Sequence, residues 1–215
     1  IDYSSAISNW NPTKGGNGLN PTVTDNYEIS LDGGLNASRI QLNPNGSNSG
    51  DYSGLGSIAA LDGSSEYTIS FYIKSNSGSD ITLTYFLNNT FGGNFVATTE
   101  WQRVTKTFTS NTLSQRNFGI ILRGNNGLSA DISLWGVNLE LGSYATSYIP
   151  TSGSTLERKG DEISGAGTSD DFNDSEGVLM AEISGLGTQG DSQTIGMFSA
   201  TGTGFSSRVL IRRSP

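Results

Sequence analysis

The clearest pattern of apolar and polar positions begins at Glu66. In EYTISFYIKS, Tyr67, Ile69, Phe71 and Ile73 alternate with Thr68, Ser70, Tyr72 and Lys74. A period of two predicts a strand with one face turned to a core. Four further runs share this character: ITLTYFL, with Ile81, Leu83, Tyr85 and Leu87 on one face, then EWQRVTKTFTS, NFGIILRG and ADISLWGVNLEL. Clusters of Gly, Asn and Ser separate them, the residue types that turns require. No segment sustains a helical period of about 3.6 residues. Together the runs predict a shared core of Ile69, Phe71, Ile73, Leu83, Tyr85, Val104, Phe108, Ile120, Leu122, Ile132 and Leu134.

Residues 1–65 are turn-rich. PTKGGNGLNP, LDGGLN, NPNGSNSGDYSG and LDGSSE place Gly or Asn where positive φ is expected, with short apolar pieces at 27–31 and 38–42 between them. Short strands at regular spacing predict an all-β fold, an antiparallel β-sandwich of the jelly-roll kind, over residues 1–150. After Arg158 the chain turns acidic and Gly-rich in RKGDEISGAGTSDDFNDSEG, and strand-like runs resume at VLMAEISGL, QTIGMFSA and RVLIRR. Three strands are too few to close a sandwich. Residues 151–165 therefore read as an ordered connector, and 166–215 as the opening strands of an incomplete second β-sandwich.

Composition agrees with strands and turns: of 215 residues, 29 are Gly, and only 15% are charged. The net charge of −8 would repel nucleic acid and anionic membrane surfaces, so neither is expected as a partner. No apolar run is long enough to insert into a membrane. The start, IDYSSAISNW, lacks a basic region followed by an apolar stretch, so the sequence is read as beginning inside a longer polypeptide or after processing. Without Cys, the fold must rest on core and sheet alone.

Candidate chemistry is limited by the absence of His, which removes Ser-His-Asp triads and histidine metal sites. A pair of carboxylates would suffice for glycoside hydrolysis. The acidic residues fall instead at turns, as at Asp32, Asp62 and Asp80, or in the 161–176 loop, and the residues are read as non-catalytic. No cofactor is expected except a Ca²⁺ ion at Asp131, whose carboxylate would join backbone carbonyls of the N-terminal segment. A plain surface aspartate is the competing reading. Sugar binding needs flat aromatic faces beside polar groups. Strand alternation turns Tyr72, Phe86, Ile121 and Arg123 outward, and Tyr72, Phe86 and Arg123 are the candidate carbohydrate-binding residues. The competing reading buries this face against a neighbouring domain or subunit. Trp101 and Trp135 read as packing residues.

Three segments carry a family resemblance. YTISFYIKS, EWQRVTKTFTS and LWGVNLELGSYATSYIPTSGSTLER resemble the carbohydrate-binding-module-like jelly roll of tailed-bacteriophage structural proteins, over residues 5–161. Val137-Asn138 stands where that family usually has Ala-Gln. FNDSEGVLMAEISGL is similar to the first strands of a concanavalin A-like (laminin-G-like) sandwich. The resemblance implies a virion protein of the tail-fibre or tailspike type, made in the host cytoplasm and contributing to recognition of a host cell-surface glycan. It also implies contacts with other virion proteins and a homo-oligomer, by the habit of phage fibres a trimer. A purely structural spacer is one alternative. A polysaccharide-cleaving tailspike with its catalytic part outside these residues is another. The polar tail after Leu141 then becomes an exit strap, with Tyr144, Tyr148 and Ile149 gripping the jelly roll and Pro150 holding the chain extended.

Overall fold

The computed structural model describes residues 6–111 and 115–157, and two strands farther on, 194–199 and 208–212. The chain divides into two compact units, residues 1–158 and 159–215.

The first unit is a two-sheet antiparallel sandwich. Its strands are β1 (Asn11–Gly15), β2 (Thr22–Ile29), β3 (Leu35–Leu42), β4 (Tyr52–Ala60), β5 (Glu66–Ser75), β6 (Ile81–Leu87), β7 (Thr90–Ala97), β8 (Gln102–Thr109), β9 (Gln115–Arg123) and β10 (Ala130–Leu141). One sheet runs β1-β4-β9-β6-β7 and the other β2-β3-β10-β5-β8. From β4 onward the chain crosses repeatedly between the sheets, as a jelly roll does. The five strands expected downstream of Glu66 are β5, β6, β8, β9 and β10. Among the described residues, helix is confined to 3-10 turns at Ile7–Asn9 and Gly124–Asn126.

Alternation explains the core. Ile69, Phe71 and Ile73 of β5 face Leu83 of β6 and Phe118, Ile120 and Leu122 of β9, and all of these are buried. Ile132 and Leu134 of β10 join them, and Val104 and Phe108 pack against the cluster partly buried. Tyr85 lies between Phe95 and Phe71, with ring centroids 4.5 and 6.4 Å away. Burial pushes its phenol up to about 12.

Three strands lay hidden in stretches that read as turns. β1 contains Pro12, which lacks a ladder donor, and its place at the sheet edge accommodates that. β4 contains Gly54 and Gly56, and β7 contains Gly92 and Gly93. Glycine weakens a strand's sequence signal, but here it has steric use. A Cβ on Gly54 would stand 2.2 Å from Ile121 Cγ2 and 2.6 Å from the Ile120 carbonyl oxygen.

In the second unit β11 (Thr194–Ser199) pairs antiparallel with β12 (Arg208–Arg212). They correspond to the QTIGMFSA and RVLIRR runs. The VLMAEISGL run and the acidic 161–176 loop lie outside the described residues.

Candidate functional site

The two sheets offer two outer faces, and the candidate residues divide between them. Tyr72 belongs to β5, and Phe86 and Arg123 to β6 and β9 of the opposite sheet. Tyr72 thus cannot share a platform with the other two, because the whole core stands between them. Period-two alternation reports which way a side chain points relative to its own strand. It does not report which sheet the strand joins.

The outer face around Tyr72 is already occupied by the chain itself. Tyr72 packs on Trp135 with centroids 5.2 Å apart, and Trp135 meets Tyr148 edge-on at 5.0 Å. The Arg103 guanidinium lies 5.7 Å from the Tyr72 ring and donates to the Thr146 carbonyl. Thr68 Oγ1 donates to the Gly142 carbonyl at 2.8 Å, and Thr107 Oγ1 to that of Ser143 at 3.2 Å. Glu140 accepts from the Thr146 backbone N–H at 2.9 Å and from its hydroxyl. Residues 142–148 therefore form a strap held by hydrogen bonds at residues 142, 143 and 146 and gripped at its far end by Tyr148. Tyr144 is half exposed. The bulge in β10 between Trp135 and Asn138 makes room for this packing. Gly136 sits there at φ +64°, and a Cβ on it would come within 3.1 Å of the Tyr72 ring.

Farther along the same face the charges are paired. Lys74 Nζ lies 2.6 Å from Glu28 Oε2. Arg39 Nε donates to both oxygens of Asp131, at 2.9 and 3.0 Å, and Nη2 adds a third bond. Asn76 and Gln41 donate to the same carboxylate at 3.2 and 3.3 Å. The Arg39 guanidinium holds the Asp131 carboxyl below its ordinary value. Asp131 was the expected Ca²⁺ ligand, and in the structure its carboxylate is engaged by the Arg39 guanidinium. Among the described residues, no cluster of three acidic side chains has metal-binding spacing.

The outer face of the β1-β4-β9-β6-β7 sheet is different. Tyr52 of β4 and Phe91 of β7 meet edge-to-face, 5.5 Å between centroids. Arg123 lies with its guanidinium carbon 4.2 Å from the centre of the Phe91 ring, and its Nε donates to the Ser49 carbonyl at 3.0 Å. Beneath these, Phe86 stands 6.3 Å from Phe91 and is only 7% exposed, and Ile121 is fully buried. Phe91 itself is 43% exposed. Alongside runs a polar line: Asn126 Nδ2 donates to Thr84 Oγ1 at 3.1 Å, and Thr84 Oγ1 donates to Asn94 Oδ1 at 2.7 Å. An exposed ring, a fixed cation and two amides braced by the buried Thr84 hydroxyl form a surface suited to a polyhydroxylated ligand.

A buried carboxylate holds the rim of this face. Asp51, 4% exposed, precedes Tyr52. Its Oδ1 accepts from the Asn17 backbone N–H at 2.9 Å and side chain at 3.2 Å, and its Oδ2 from the Asn48 N–H at 3.2 Å. Its backbone carbonyl accepts from Gly124 N–H at 2.7 Å. One residue thus ties together the β1–β2 loop, the β3–β4 loop and the end of β9, which carry or flank Tyr52 and Arg123. The Asn17 backbone N–H is the main cause that lowers its pKa.

Of the sequence candidates, then, the structure puts Phe86 and Arg123 on one face, with Phe86 as the buried support rather than the contact surface. Tyr52 and Phe91, which carry the exposed aromatic area, were not found by sequence reading. A signal existed in YSGLGS: an aromatic followed by glycines at alternate positions marks a ring beside a flat, side-chain-free strand face. In NTFGGNF an aromatic is likewise followed by glycines, there adjacent to each other.

A family model described as Carbohydrate binding domain matches residues 3–126, more than half of the chain. Comparison with curated protein sequences returned no match. Among solved structures, the family 11 carbohydrate-binding module from Clostridium thermocellum is 17% identical, with a TM-score of 0.45, covering 66% of this chain and 94% of that one. The CBM22-1 xylan-binding domain from Paenibacillus barcinonensis Xyn10C is 16% identical, with a TM-score of 0.42, covering 62% and 87%. The enzymatically active domain of bacteriophage CBA120 tailspike protein 4 is 14% identical, with a TM-score of 0.41, covering 64% of this chain and 20% of that chain. By the family match, this chain belongs to the carbohydrate binding domain family.

Proposed function

We propose that the jelly roll is a non-catalytic glycan-binding module whose ligand lies across Tyr52, Phe91 and Arg123. The carrying observation is the contrast between the two outer faces. One is covered by the strap and ion-paired, and the other exposes an aromatic ring with a fixed cation and a polar border. A sugar's apolar face stacks on Phe91 while its hydroxyls meet Asn94 and Asn126, which the buried Thr84 hydroxyl holds in place. One stacked sugar gives an affinity near 1 mM, about 4 kcal/mol, so useful adhesion needs several copies engaging together.

The closing motif LWGVNLELGSYATSYIPT supports the finer reading that the module belongs to a bacteriophage appendage, in the virion, that attaches to a host surface glycan as a homo-oligomer. The strap favours a second role, a spacer that holds the chain's exit on a fixed path. Binding of the multimeric protein to host cells and to arrayed glycans tests the first role. Saturable binding to defined glycans is expected. An absence of binding to any glycan or cell leaves the spacer role alone standing.

A further inference from the structure

Building on that reading of the face, we infer that the bound sugar carries a carboxylate and that Arg123 is the residue that recognises it. On the strap-covered face the cations are already engaged: Arg103 donates to Ser70 Oγ and to the Thr146 carbonyl. On the same sheet Arg39 and Lys74 have carboxylate partners. Among the described residues Arg123 has none.

What Arg123 does have is support. Its Nε–H is used by the Ser49 carbonyl, and its guanidinium rests on Phe91. Both contacts restrict rotation without neutralising charge. With Nε engaged, the two terminal amino groups remain as a side-by-side pair of donors. That fork matches the two oxygens of a carboxylate, and less rotamer freedom is lost on binding because the side chain is already placed. A neutral sugar gains little from such a group, since hydroxyls are satisfied by the amides of Asn94 and Asn126 close by. The acidic surface adds a consequence. An anionic polymer is repelled by the rest of the molecule, so productive contact is confined to this patch, and discrimination against neutral glycans comes from one residue.

The test uses an array of oligosaccharides that are neutral, carboxylated, or sulfated and phosphorylated, with matched backbones. It is probed with the multimeric parent protein and with R123Q and R123K, each first shown to melt at the parent's temperature. Expected are preferential binding to carboxylated sugars, at least tenfold loss in R123Q with partial retention in R123K, and weakening of parent binding by added salt. Binding of neutral sugars equally by parent and R123Q overturns the carboxylate inference and leaves glycan binding intact. Preference for the sulfated and phosphorylated arm overturns it also. If the parent binds no sugar on the array, the glycan-binding reading itself fails.

Discussion

The rings of Phe91 and Tyr52 touch, 5.5 Å between centroids, although β6 and β9 lie between their strands. Three strand spacings of about 4.8 Å separate the two backbones. The contact exists because both side chains lean inward over strands that present little there: Gly54 and Gly56 of β4 and Gly119 of β9. Phe86 and Ile121 then lie underneath, covered on a face that strand alternation alone would leave exposed.

This arrangement makes Phe91 a lid on apolar surface as well as the proposed contact residue. Phe91→Ala should cost about 1 kcal/mol, in the range of an aromatic pair plus partial burial. The core change Phe71→Ala should cost about 3–5 kcal/mol. Urea denaturation of both variants measures the difference. Equal costs would mean that Phe91 is a core residue and not a surface one.

The strap gives a second expectation. Trp135 is buried among Tyr72 and Tyr148, yet its Nε1–H has no hydrogen-bond partner among the described residues. An unpaired buried donor costs about 1–3 kcal/mol, so Trp135→Phe should lose less than about 1 kcal/mol. Trp135→Ala should lose about 3 kcal/mol or more. Tyr148→Ala should raise proteolytic cleavage within 143–151 without changing glycan binding. Intact protection in that variant would show that the strap is held by its hydrogen bonds alone.

Stability should decline at both ends of the pH range. The carboxyls of Asp51 and Asp131 are held below their ordinary 3.8, so their contribution is full above that value and is lost as pH falls through the lower folded values. Tyr85 has the opposite sense. Its phenol is raised from 10.0 to about 12, so its contribution is full below 10.0 and is lost as pH climbs from there through about 12. Thermal melts across pH should fall on both flanks. A melt unchanged below the ordinary aspartate value would contradict the roles of Asp51 and Asp131.

Asp51→Ala removes the acceptor shared by the Asn17 and Asn48 backbone N–H groups. Amide hydrogen exchange at those two positions should accelerate, and glycan binding should weaken because Tyr52 and Arg123 lose their support. Unchanged exchange would show that the loops are ordered independently.

β5, β6, β8, β9 and β10 and their core positions were legible because burial on one face leaves a period-two signature. β1, β4 and β7 were not, since Pro12 and the glycines erase that signature while serving close packing. The outward position of Arg123 was legible because polarity on the open face of a strong strand is readable. Tyr72 was misassigned to the same platform because sheet membership and coverage by the strap depend on contacts remote in sequence, such as Arg103 with Thr146. Tyr52 and Phe91 meet only through topology, and no local window contains that relationship.

The most direct test of the binding face compares two variants on the same immobilised glycan. Tyr52→Ala/Phe91→Ala removes the exposed rings of one sheet, and Tyr72→Ala alters the strap-covered face of the other. The account predicts that the first abolishes binding while the second leaves it within about twofold of the parent, a difference of about 0.4 kcal/mol. Loss of binding in Tyr72→Ala with retention in the double variant would place the site on the opposite sheet and contradict the account.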